Sequence, residues 1–371
     1  MKIGIIKEST PEEKRVAAVP ETVAKMIKAG MQVIVQADAG KAASFSDQQY
    51  KDAGALIKNN ANEVLADSDI VLKVQRPDSK DVPLFKNGTT LIAPLYPSQY
   101  PELITQLNAK QMTLFALDRL PRIARAQSMD ILSSMSNVAG YKSVILAANY
   151  LGKIFPMMTT AAGTIPPAKV IVIGAGVAGL QAIATARRLG AVVIAFDTRP
   201  AAEEQVKSLG AEFVSLETSH DQAQDAGGYA KEQSTDFYQH EQNIIARYSK
   251  EADVIITTAL IPGKRAPILI TEAMVKNMQP GTVIVDLASE QQGNCILSEP
   301  GKIIEKFGVT LIGILNMPST VPIHASQLYA KNIFTFLNYI APAWQNHAWD
   351  LDDDIIKTTL IAENGKIRQS V

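Results

Sequence analysis

The stretch KVIVIGAGVAGLQAIATARRLGAVVIAFD, residues 169–197, decides the fold of this chain. One β-branched apolar run ends at Ile173 and a second apolar run ends at Asp197, so the pattern predicts two strands joined by a helix. Gly174, Gly176 and Gly179 follow the first strand with G-x-G-x-x-G spacing. This arrangement is typical of a dinucleotide-binding unit; the alternative is an α/β turn with a purely structural role.

Each part of this motif has a physical reason. The first glycine allows a tight turn, the second lets the backbone approach a pyrophosphate, and the third lets the helix pack on the strand. The helix N-terminus offers free N–H groups and the positive end of a dipole to that pyrophosphate. Asp197 ends the second strand, where a carboxylate can accept hydrogen bonds from an adenosine ribose. We therefore expect NAD rather than NADP, although Arg199 is an argument for a 2′-phosphate.

The composition describes a globular chain of nearly balanced charge. Its 371 residues exceed one ordinary core, so we expect two domains. A net charge of −1 gives no electrostatic reason to expect binding to nucleic acid or to an anionic membrane. With one cysteine and four scattered histidines, we expect no intrachain disulfide and no metal site. We expect neither a signal peptide nor direct membrane insertion, because no apolar run suits either.

Strands alternate with helices on both sides of the glycine motif, which predicts parallel sheets. We expect an α/β protein with two Rossmann-like doubly wound domains, a cleft between them and a C-terminal hairpin tail. The first domain comprises residues 1–130 and about 326–371. The second, residues 131–325, is the Rossmann NAD(H)-binding domain, in which residues 131–168 form a linking helix and turn. The hairpin, residues 358–367, is expected to pack on a neighbour such as a second copy of the chain.

A polar stretch between residues 215 and 251 is long for a connection within a compact domain. It predicts a lid or a mobile insertion, and the alternative is a solvated surface loop. Tyr229, beside Gly227 and Gly228, favours the lid.

A nicotinamide cofactor leaves two classes of reaction open. A dehydrogenase that acts on an alcohol or an amine moves a proton with the hydride, so it needs a general base and a clamp for its substrate. Hydride transfer between two nicotinamides needs no proton transfer, only placement and the exclusion of water. A base near the nicotinamide therefore distinguishes the two classes.

Five segments are more specific than the glycine motif: PRIARAQSMDILSSMSNVAGY (121–141), AAGTIPPAKVIVIGAGVAGLQAIATARRLGA (161–191), DAGGYAKE (225–232), TTALIPGK (257–264) and QQGNC (291–295). With them, nearly the whole chain resembles the NAD(H)-binding component of the proton-translocating nicotinamide nucleotide transhydrogenases. Alanine dehydrogenase is a relative of that family. The first segment is the most specific of the five.

In the transhydrogenases the first segment carries an Arg-Gln-Asp loop that reaches over the nicotinamide. The resemblance implies that Arg122, Gln127 and Asp130 are the catalytic residues here, with Ser133 one turn later. Arg122 and Asp130 can hold the loop by a charge-assisted pair. Gln127 can offer amide hydrogen bonds to the nicotinamide without titrating. Without the resemblance, the same residues would be interpreted as a charged surface loop.

The resemblance also implies the contacts of the cofactor. NAD(H) would bind to this chain through Ile123, Ser128, Met129, Gly174, Ala175, Gly176, Val177, Gly179, Asp197, Thr198, Arg199, Gly228, Tyr229 and Leu260. Gly228 and Tyr229 would close over it as the mobile loop.

Alanine dehydrogenase gives the main alternative function, an NAD-dependent amino-acid dehydrogenase. Its pyruvate clamp, an Arg and a Lys, has counterparts in Arg15 and Lys73. Its catalytic His is replaced by Tyr96, and an Asp near the nicotinamide is replaced by Glu290. A tyrosine with a pKa near about 10 is a poor base at neutral pH. We therefore interpret Arg15 and Lys73 as ancestral or structural.

The transhydrogenase resemblance implies reversible hydride transfer between NAD(H) on this chain and NADP(H) on a partner subunit, coupled to proton translocation. It implies a homodimer that works with an NADP(H)-binding beta subunit and a membrane-spanning alpha-2-type subunit. The chain would then be cytoplasmic and associated with the cytoplasmic face of the inner membrane through those partners. A non-catalytic NAD-sensing subunit is a third hypothesis.

Overall fold

The computed structural model describes residues 1–216, 235–260, 265–344, 346 and 348–368. The chain forms two compact units. Unit 1 comprises Met1–Met135 together with Ser319–Val371, and unit 2 comprises Ser136–Pro318. The boundaries expected from the sequence lie after residues 130 and 325.

The N-terminal region of unit 1 alternates strands with helices. Its strands are β1 (Lys2–Ile5), β2 (Gln32–Gln36), β3 (Leu56–Lys58), β4 (Ile70–Leu72), β5 (Thr90–Ala93) and β6 (Thr113–Ala116). Its helices are α1 (Pro20–Lys28), α2 (Asp47–Asp52), α3 (Ala61–Asp67) and α4 (Pro101–Ala109). The next helix, α5 (Ile131–Tyr150), leads into unit 2.

Unit 2 contains a small hairpin and a larger sheet. The hairpin strands are β7 (Met158–Thr160) and β8 (Gly163–Ile165). The sheet strands are β9 (Lys169–Ile173), β10 (Val192–Asp197), β11 (Glu212–Ser215), β12 (Val254–Thr257), β13 (Val283–Asp286), β14 (Ile303–Lys306) and β15 (Val309–Ile312). The helices are α6 (Val177–Arg188), α7 (Ala202–Ser208), α8 (Thr235–Ser249) and α9 (Glu272–Lys276).

The C-terminal residues complete unit 1. They form α10 (Pro322–Trp344), α11 (Asp354–Thr359), β16 (Leu360–Glu363) and β17 (Lys366–Ile367). Among the helices of the described residues, none has the length and apolarity that a membrane span requires.

The large sheet of unit 2 has the strand order β11-β10-β9-β12-β13-β15-β14. All of its pairs are parallel except β14 with β15. The order reverses between β9 and β12, and ligands of such sheets bind beside the carboxyl ends of the strands at this point. The apolar residues of β9 are fully buried, as expected of a parallel strand covered on both faces. The prediction of a Rossmann-like domain is confirmed.

The sheet of unit 1 has the order β3-β2-β1-β4-β5-β6-β16-β17. Its first six strands are parallel, so unit 1 is also doubly wound, as predicted. Helix α10 covers this sheet with Tyr329, Ile333 and Phe336, which are at most 1% exposed and belong to the same core as Ile3 and Ile5. Each such side chain contributes roughly 1.5–3 kcal/mol by leaving water.

The predicted C-terminal hairpin is present, with one correction. It turns at Asn364 and Gly365, whose φ angles of 49° and 78° are those of a type I′ turn. Thr358 and Thr359 belong to α11 rather than to a strand. The neighbour on which β16 packs is β6 of its own chain, in an antiparallel pair. The expected tail therefore belongs to the unit 1 sheet.

Candidate functional site

The turn between β9 and α6 needs glycine at two of its three motif positions. Gly174 has a φ of +96°, which L side chains rarely adopt, and a Cβ there would lie 2.6 Å from Thr258 Oγ1. A Cβ on Gly179 would lie 1.8 Å from the carbonyl oxygen of Gly174. A Cβ on Gly176 would meet no described atom within 4 Å, at the residue that precedes α6. Among the described residues, Gly176 therefore leaves room beside the N-terminus of α6, which suits a diphosphate.

Thr258, just after β12, holds this turn in place. Its hydroxyl donates to the carbonyl oxygen of Gly174 at 2.9 Å, and its backbone N–H donates to that of Ile173 at 2.9 Å. The two strands on either side of the switch point are thus joined at their carboxyl ends. The sequence pattern did not single out Thr258.

Asp286, at the end of β13, is the centre of a buried hydrogen-bond network. Its carboxylate accepts from the Thr257 hydroxyl at 2.9 Å and from the backbone N–H groups of Asn294 and Cys295 at 3.1 and 3.0 Å. The Asn294 amide bonds both backbone groups of Ala259, at 3.1 and 2.9 Å. The QQGNC segment therefore fixes the backbone that leads to Leu260. A polar residue at the carboxyl end of a parallel strand is the signal that could have indicated Asp286.

Asp197, the last residue of β10, is 6% exposed, and its carboxylate accepts four hydrogen bonds. Oδ1 accepts from the backbone N–H of Arg199 at 2.8 Å and from its Nε at 2.9 Å. Oδ2 accepts from the backbone N–H of Ala175 at 2.7 Å and from Arg199 Nη2 at 2.8 Å. The hydrogen bond to Asp197 outweighs partial burial and raises the pKa of the Arg199 guanidinium, so Arg199 keeps its positive charge.

Glu241 on α8 is a second carboxyl group near Asp197 and is only 2% exposed. Burial raises its pKa to about 8, and the charge of Asp197 acts in the same direction. At neutral pH the Glu241 side chain is therefore uncharged. The sequence pattern did not reveal Glu241, although it has an apolar position in the pattern of Phe237, Ile245 and Tyr248.

In unit 1, the predicted catalytic segment forms a 3-10 helix over Ala124–Met129. Asn332 on α10 donates from Nδ2 to the carbonyl oxygen of Ser128 at 2.8 Å. Arg125 lies 2.5 Å from the carboxylate of Asp353. Met129 is buried, whereas the Gln127 side chain is exposed. The segment is therefore fixed to the C-terminal region of unit 1 and presents Gln127 on its surface.

Asp130 begins α5 as an N-cap residue. Its carboxylate accepts from the backbone N–H of Ser133 at 2.9 Å and from the Ser133 hydroxyl at 2.6 Å. The structure thus brings two of the four predicted catalytic residues into contact. The pair between Asp130 and Arg122 stays a prediction.

The two cations of the alternative clamp are buried in ion pairs. Arg15 makes a bidentate pair with Glu13, with nitrogen–oxygen distances of 2.8 and 2.7 Å. Lys73 lies 2.8 Å from Glu8, whose other oxygen accepts from the backbone of Val74. Burial opposes ionisation of Glu13, but the hydrogen bonds and charge of Arg15 prevail and lower its pKa to about 2. The four charged side chains are at most 6% exposed, which suits the structural interpretation.

The sequence does not predict the backbone conformation of Tyr96 or the hydrogen-bond partner of Glu290. Tyr96 has a φ of +47°, a conformation that costs a bulky residue about 1–3 kcal/mol. The Asp118 carboxylate stabilises it by accepting from the backbone N–H groups of Leu95 and Tyr96, at 2.6 and 3.1 Å. In unit 2, Glu290 accepts from the backbone N–H of Asn316 at 2.7 Å.

The remaining predicted contacts fall into three groups. Unit 2 places Thr198 beside Asp197, and it exposes Val177 and Leu260, by 37% and 36%. Ile123, Ser128 and Met129 belong to unit 1. Gly228 and Tyr229 lie outside the described residues. Within the described ranges, no group of three or more His, Cys, Asp or Glu side chains is placed to hold a metal ion.

Two family models match the chain. The model described as Alanine dehydrogenase/PNT, N-terminal domain matches residues 4–139, and Alanine dehydrogenase/PNT, C-terminal domain matches residues 143–370. The second match continues through residues that fold within unit 1.

Relatives of two kinds are similar to the chain. The first portion of a divided NAD(P) transhydrogenase alpha subunit, from Rhodospirillum rubrum, is 47% identical over 99% of this chain and 97% of the relative. NAD(P) transhydrogenase subunit alpha of Haemophilus influenzae is 44% identical, over 99% of this chain and 71% of the longer relative. Alanine dehydrogenase of Methanococcus maripaludis is 32% identical over 86% of this chain and 82% of the relative.

Solved structures show the same two kinds of similarity. A transhydrogenase from Sinorhizobium meliloti matches with a TM-score of 0.86 and 42% identity, over 99% of each chain. An L-alanine dehydrogenase matches with a TM-score of 0.83 and 28% identity, over 99% of this chain and 97% of the other.

Proposed function

This chain belongs to the alanine dehydrogenase/PNT family, and from that premise we propose that it is the NAD(H)-binding subunit of a proton-translocating transhydrogenase. The observation that carries the proposal is the glycine turn of unit 2, in a chain that is more similar to transhydrogenase subunits than to alanine dehydrogenases. The alanine dehydrogenase/PNT family is one of oxidoreductases by the names of its members.

NAD(H) would bind across the carboxyl edge of the unit 2 sheet. The open space at Gly176 and the first turn of α6 would receive the pyrophosphate. Asp197 would accept hydrogen bonds from the hydroxyls of the adenosine ribose. The other residues proposed to touch the cofactor are Ile123, Ser128, Met129, Gly174, Ala175, Val177, Gly179, Thr198, Gly228, Tyr229 and Leu260. Arg199 belongs to the same site through its pair with Asp197.

The proposed catalytic residues are Arg122, Gln127, Asp130 and Ser133. Bound NAD(H) supplies or accepts the hydride at its nicotinamide ring. Gln127 would orient that ring through its exposed amide, which has no proton to lose in the working pH range. Asp130 would keep a fixed position because Ser133 holds both of its oxygens. Placement alone serves this reaction, since no proton moves with the hydride.

The second nucleotide, NADP(H), would be bound by a separate beta-type subunit. A membrane-spanning alpha-2-type subunit would take part in proton translocation, and the chain would associate through these partners with the cytoplasmic face of the inner membrane. The word "subunit" in the names of the relatives supports the existence of such partners.

We also propose that the chain is a homodimer. The β7–β8 hairpin is a separate two-stranded sheet, and such hairpins are marginally stable in water by themselves. It exposes 43% of Met158 and 49% of Ile165, with Met157 next to them 64% exposed. Apolar surface of this kind is typical of a protein interface, and a second copy of the chain would cover it.

The alternative function, alanine dehydrogenase, is supported by the presence of Arg15 and Lys73. Their ion pairs with Glu13 and Glu8 equally suit a structural role. The two functions differ in their substrates, so one experiment separates them.

The test combines the purified chain with an NADP(H)-binding transhydrogenase subunit and follows the reduction of an NAD analogue by NADPH. We expect turnover that needs both proteins. A matched reaction supplies NADH, pyruvate and ammonia to the chain alone, and we expect no oxidation. Turnover in the second reaction would assign alanine dehydrogenase activity. Binding of NADH without turnover in the first would assign a sensing role.

A further inference from the structure

The carboxylate of Asp197 has no acceptor position left for a ribose. A carboxylate offers about four lone-pair positions, and Asp197 uses all four. Two of its bonds come from backbone N–H groups, of Ala175 and Arg199. The other two come from the Arg199 side chain. A nucleotide that binds Asp197 must therefore displace at least one donor.

The backbone and side-chain donors differ in how easily they leave. The Ala175 N–H belongs to the glycine turn, and the Arg199 N–H is fixed by the chain next to β10, so these two bonds orient the carboxylate. The Arg199 side chain is 19% exposed, against 6% for Asp197, so its guanidinium lies at the solvent side of the pair. Its contact with Asp197 is made by the side chain and does not depend on the position of the backbone.

The guanidinium and the ribose offer Asp197 the same kind of contact. Nε and Nη2 of Arg199 donate one to each carboxylate oxygen, at 2.9 and 2.8 Å, which is the bidentate fork that arginine forms with carboxylates. The 2′- and 3′-hydroxyls of an adenosine ribose are likewise two neighbouring donors. The two groups would therefore compete for the same two positions.

We propose that Arg199 is a built-in competitor of the adenosine ribose for Asp197 and thereby sets the affinity of this chain for NAD(H). The inference deepens the proposed function and rests on it. Nucleotide entry exchanges the two side-chain bonds of Arg199 for two ribose hydroxyls, while the two backbone bonds stay. An internal competitor reduces the apparent affinity to the intrinsic affinity multiplied by the fraction of time that the competitor leaves the site.

The test measures NADH binding by isothermal titration to the full chain and to Arg199→Met. Met keeps much of the apolar stem and removes the donors. We expect Arg199→Met to bind NADH on the order of tenfold more tightly, which corresponds to about 1.4 kcal/mol. Arg188→Met, at an exposed arginine near the end of α6, makes the same charge change and should leave NADH binding unchanged.

An NADH analogue with 2′-deoxyadenosine provides the second comparison. It offers Asp197 one hydroxyl fewer, so the gain from Arg199→Met should be smaller for it than for NADH. Equal or weaker NADH binding by a folded Arg199→Met variant would overturn the proposal and make Arg199 a direct ligand. Absence of NADH binding by the unmodified chain would instead refute the proposed function.

Two measurements keep the test decisive if Arg199→Met does not fold. Arg199→Lys keeps the charge but offers a point donor instead of the fork, so it should bind NADH with intermediate affinity. A crystal structure of the unmodified chain with NADH should show both ribose hydroxyls on Asp197 and the guanidinium moved away. An intact bidentate pair in that complex would overturn the proposal.

Discussion

Glu241→Gln should stabilise unit 2 at neutral pH and not at acid pH. Glu241 is buried beside Asp197, and its pKa rises from 4.5 to about 8 when the chain folds. A carboxyl group with a raised pKa stabilises the folded state fully below its unfolded pKa. That contribution is lost as the pH rises through the folded pKa, because the unfolded chain releases a proton that the folded chain retains. Gln keeps the shape of the protonated side chain and has no proton to retain.

The magnitude follows from the pKa shift. One pKa unit corresponds to about 1.4 kcal/mol. Between pH 4.5 and pH 7, Glu241 therefore lowers the free energy of unfolding by about 3 kcal/mol. We therefore expect Glu241→Gln to unfold with a free energy about 3 kcal/mol higher at pH 7 and nearly unchanged at pH 4.5. The difference should stop growing above about pH 8.

The chain contains suitable probes for each unit. Cys295 is its single cysteine, is fully buried in unit 2 and has a pKa that burial raises to about 11. Its labelling by a maleimide, in pulses at one common pH after equilibration in urea, reports the unfolding of unit 2. Trp344 and Trp349 are the two tryptophans, both in unit 1, so their fluorescence reports unit 1.

The control is built into the same samples. Tryptophan fluorescence should give the same urea midpoint for both proteins at every pH, since Glu241 lies in unit 2. A Glu241→Gln variant whose thiol-labelling midpoint exceeds the original by the same amount at pH 4.5 and pH 7 would refute the reasoning. So would a variant that is less stable at pH 7, because Glu241 would then be stabilising as a charged group.

Three further predictions concern the turn, the reaction and the assembly. Gly179→Ala places a methyl group against the carbonyl oxygen of Gly174, so α6 must shift; we expect at least about tenfold weaker NADH binding by titration, and unchanged binding would contradict the packing role. Gln127→Asn should slow hydride transfer in the reconstituted assay by at least about tenfold while NADH affinity changes little; a large loss of affinity with unchanged turnover would make Gln127 a binding residue only. Met158→Asp should shift the chain from dimer to monomer in sedimentation velocity, because a charge would be buried at the proposed interface; an unchanged dimer would place the interface elsewhere.

The features of the fold that follow local rules could be predicted from the sequence. The glycine spacing, the apolar run of β9 and the position of Asp197 lie within one continuous stretch. The local sequence pattern is therefore sufficient to predict them. Strand β14, at an edge of the unit 2 sheet, could not be predicted because its residues Ile303–Lys306 are mostly exposed and offer little apolar pattern. The predicted hairpin starts at Thr358, whereas Asp353 is the N-cap of a helix that continues to Thr359.

The candidate site was less predictable because its partners come from distant regions of the chain. Glu241, on helix α8, lies near Asp197 at the end of strand β10, and its burial depends on tertiary packing. The bidentate pair of Asp197 with Arg199 depends on side-chain geometry, although the residues are neighbours in sequence. In the sequence, Arg199 is an argument for a 2′-phosphate, and the family resemblance places it among the NAD(H) contacts. The structure adds its bidentate pair with Asp197.

Unit 1 is assembled from both ends of the chain, which has a consequence for its biosynthesis. Helix α10 helps to cover one apolar face of its sheet, and β16 extends the sheet at β6, yet a ribosome makes these elements only after the whole of unit 2. At about 5–20 residues per second, the N-terminal strands wait on the order of 10–40 seconds for their cover. Unit 2 is continuous and can fold during that delay. The nascent chain thus exposes the apolar face of unit 1 for longest, and this is the interval in which a chaperone would be needed.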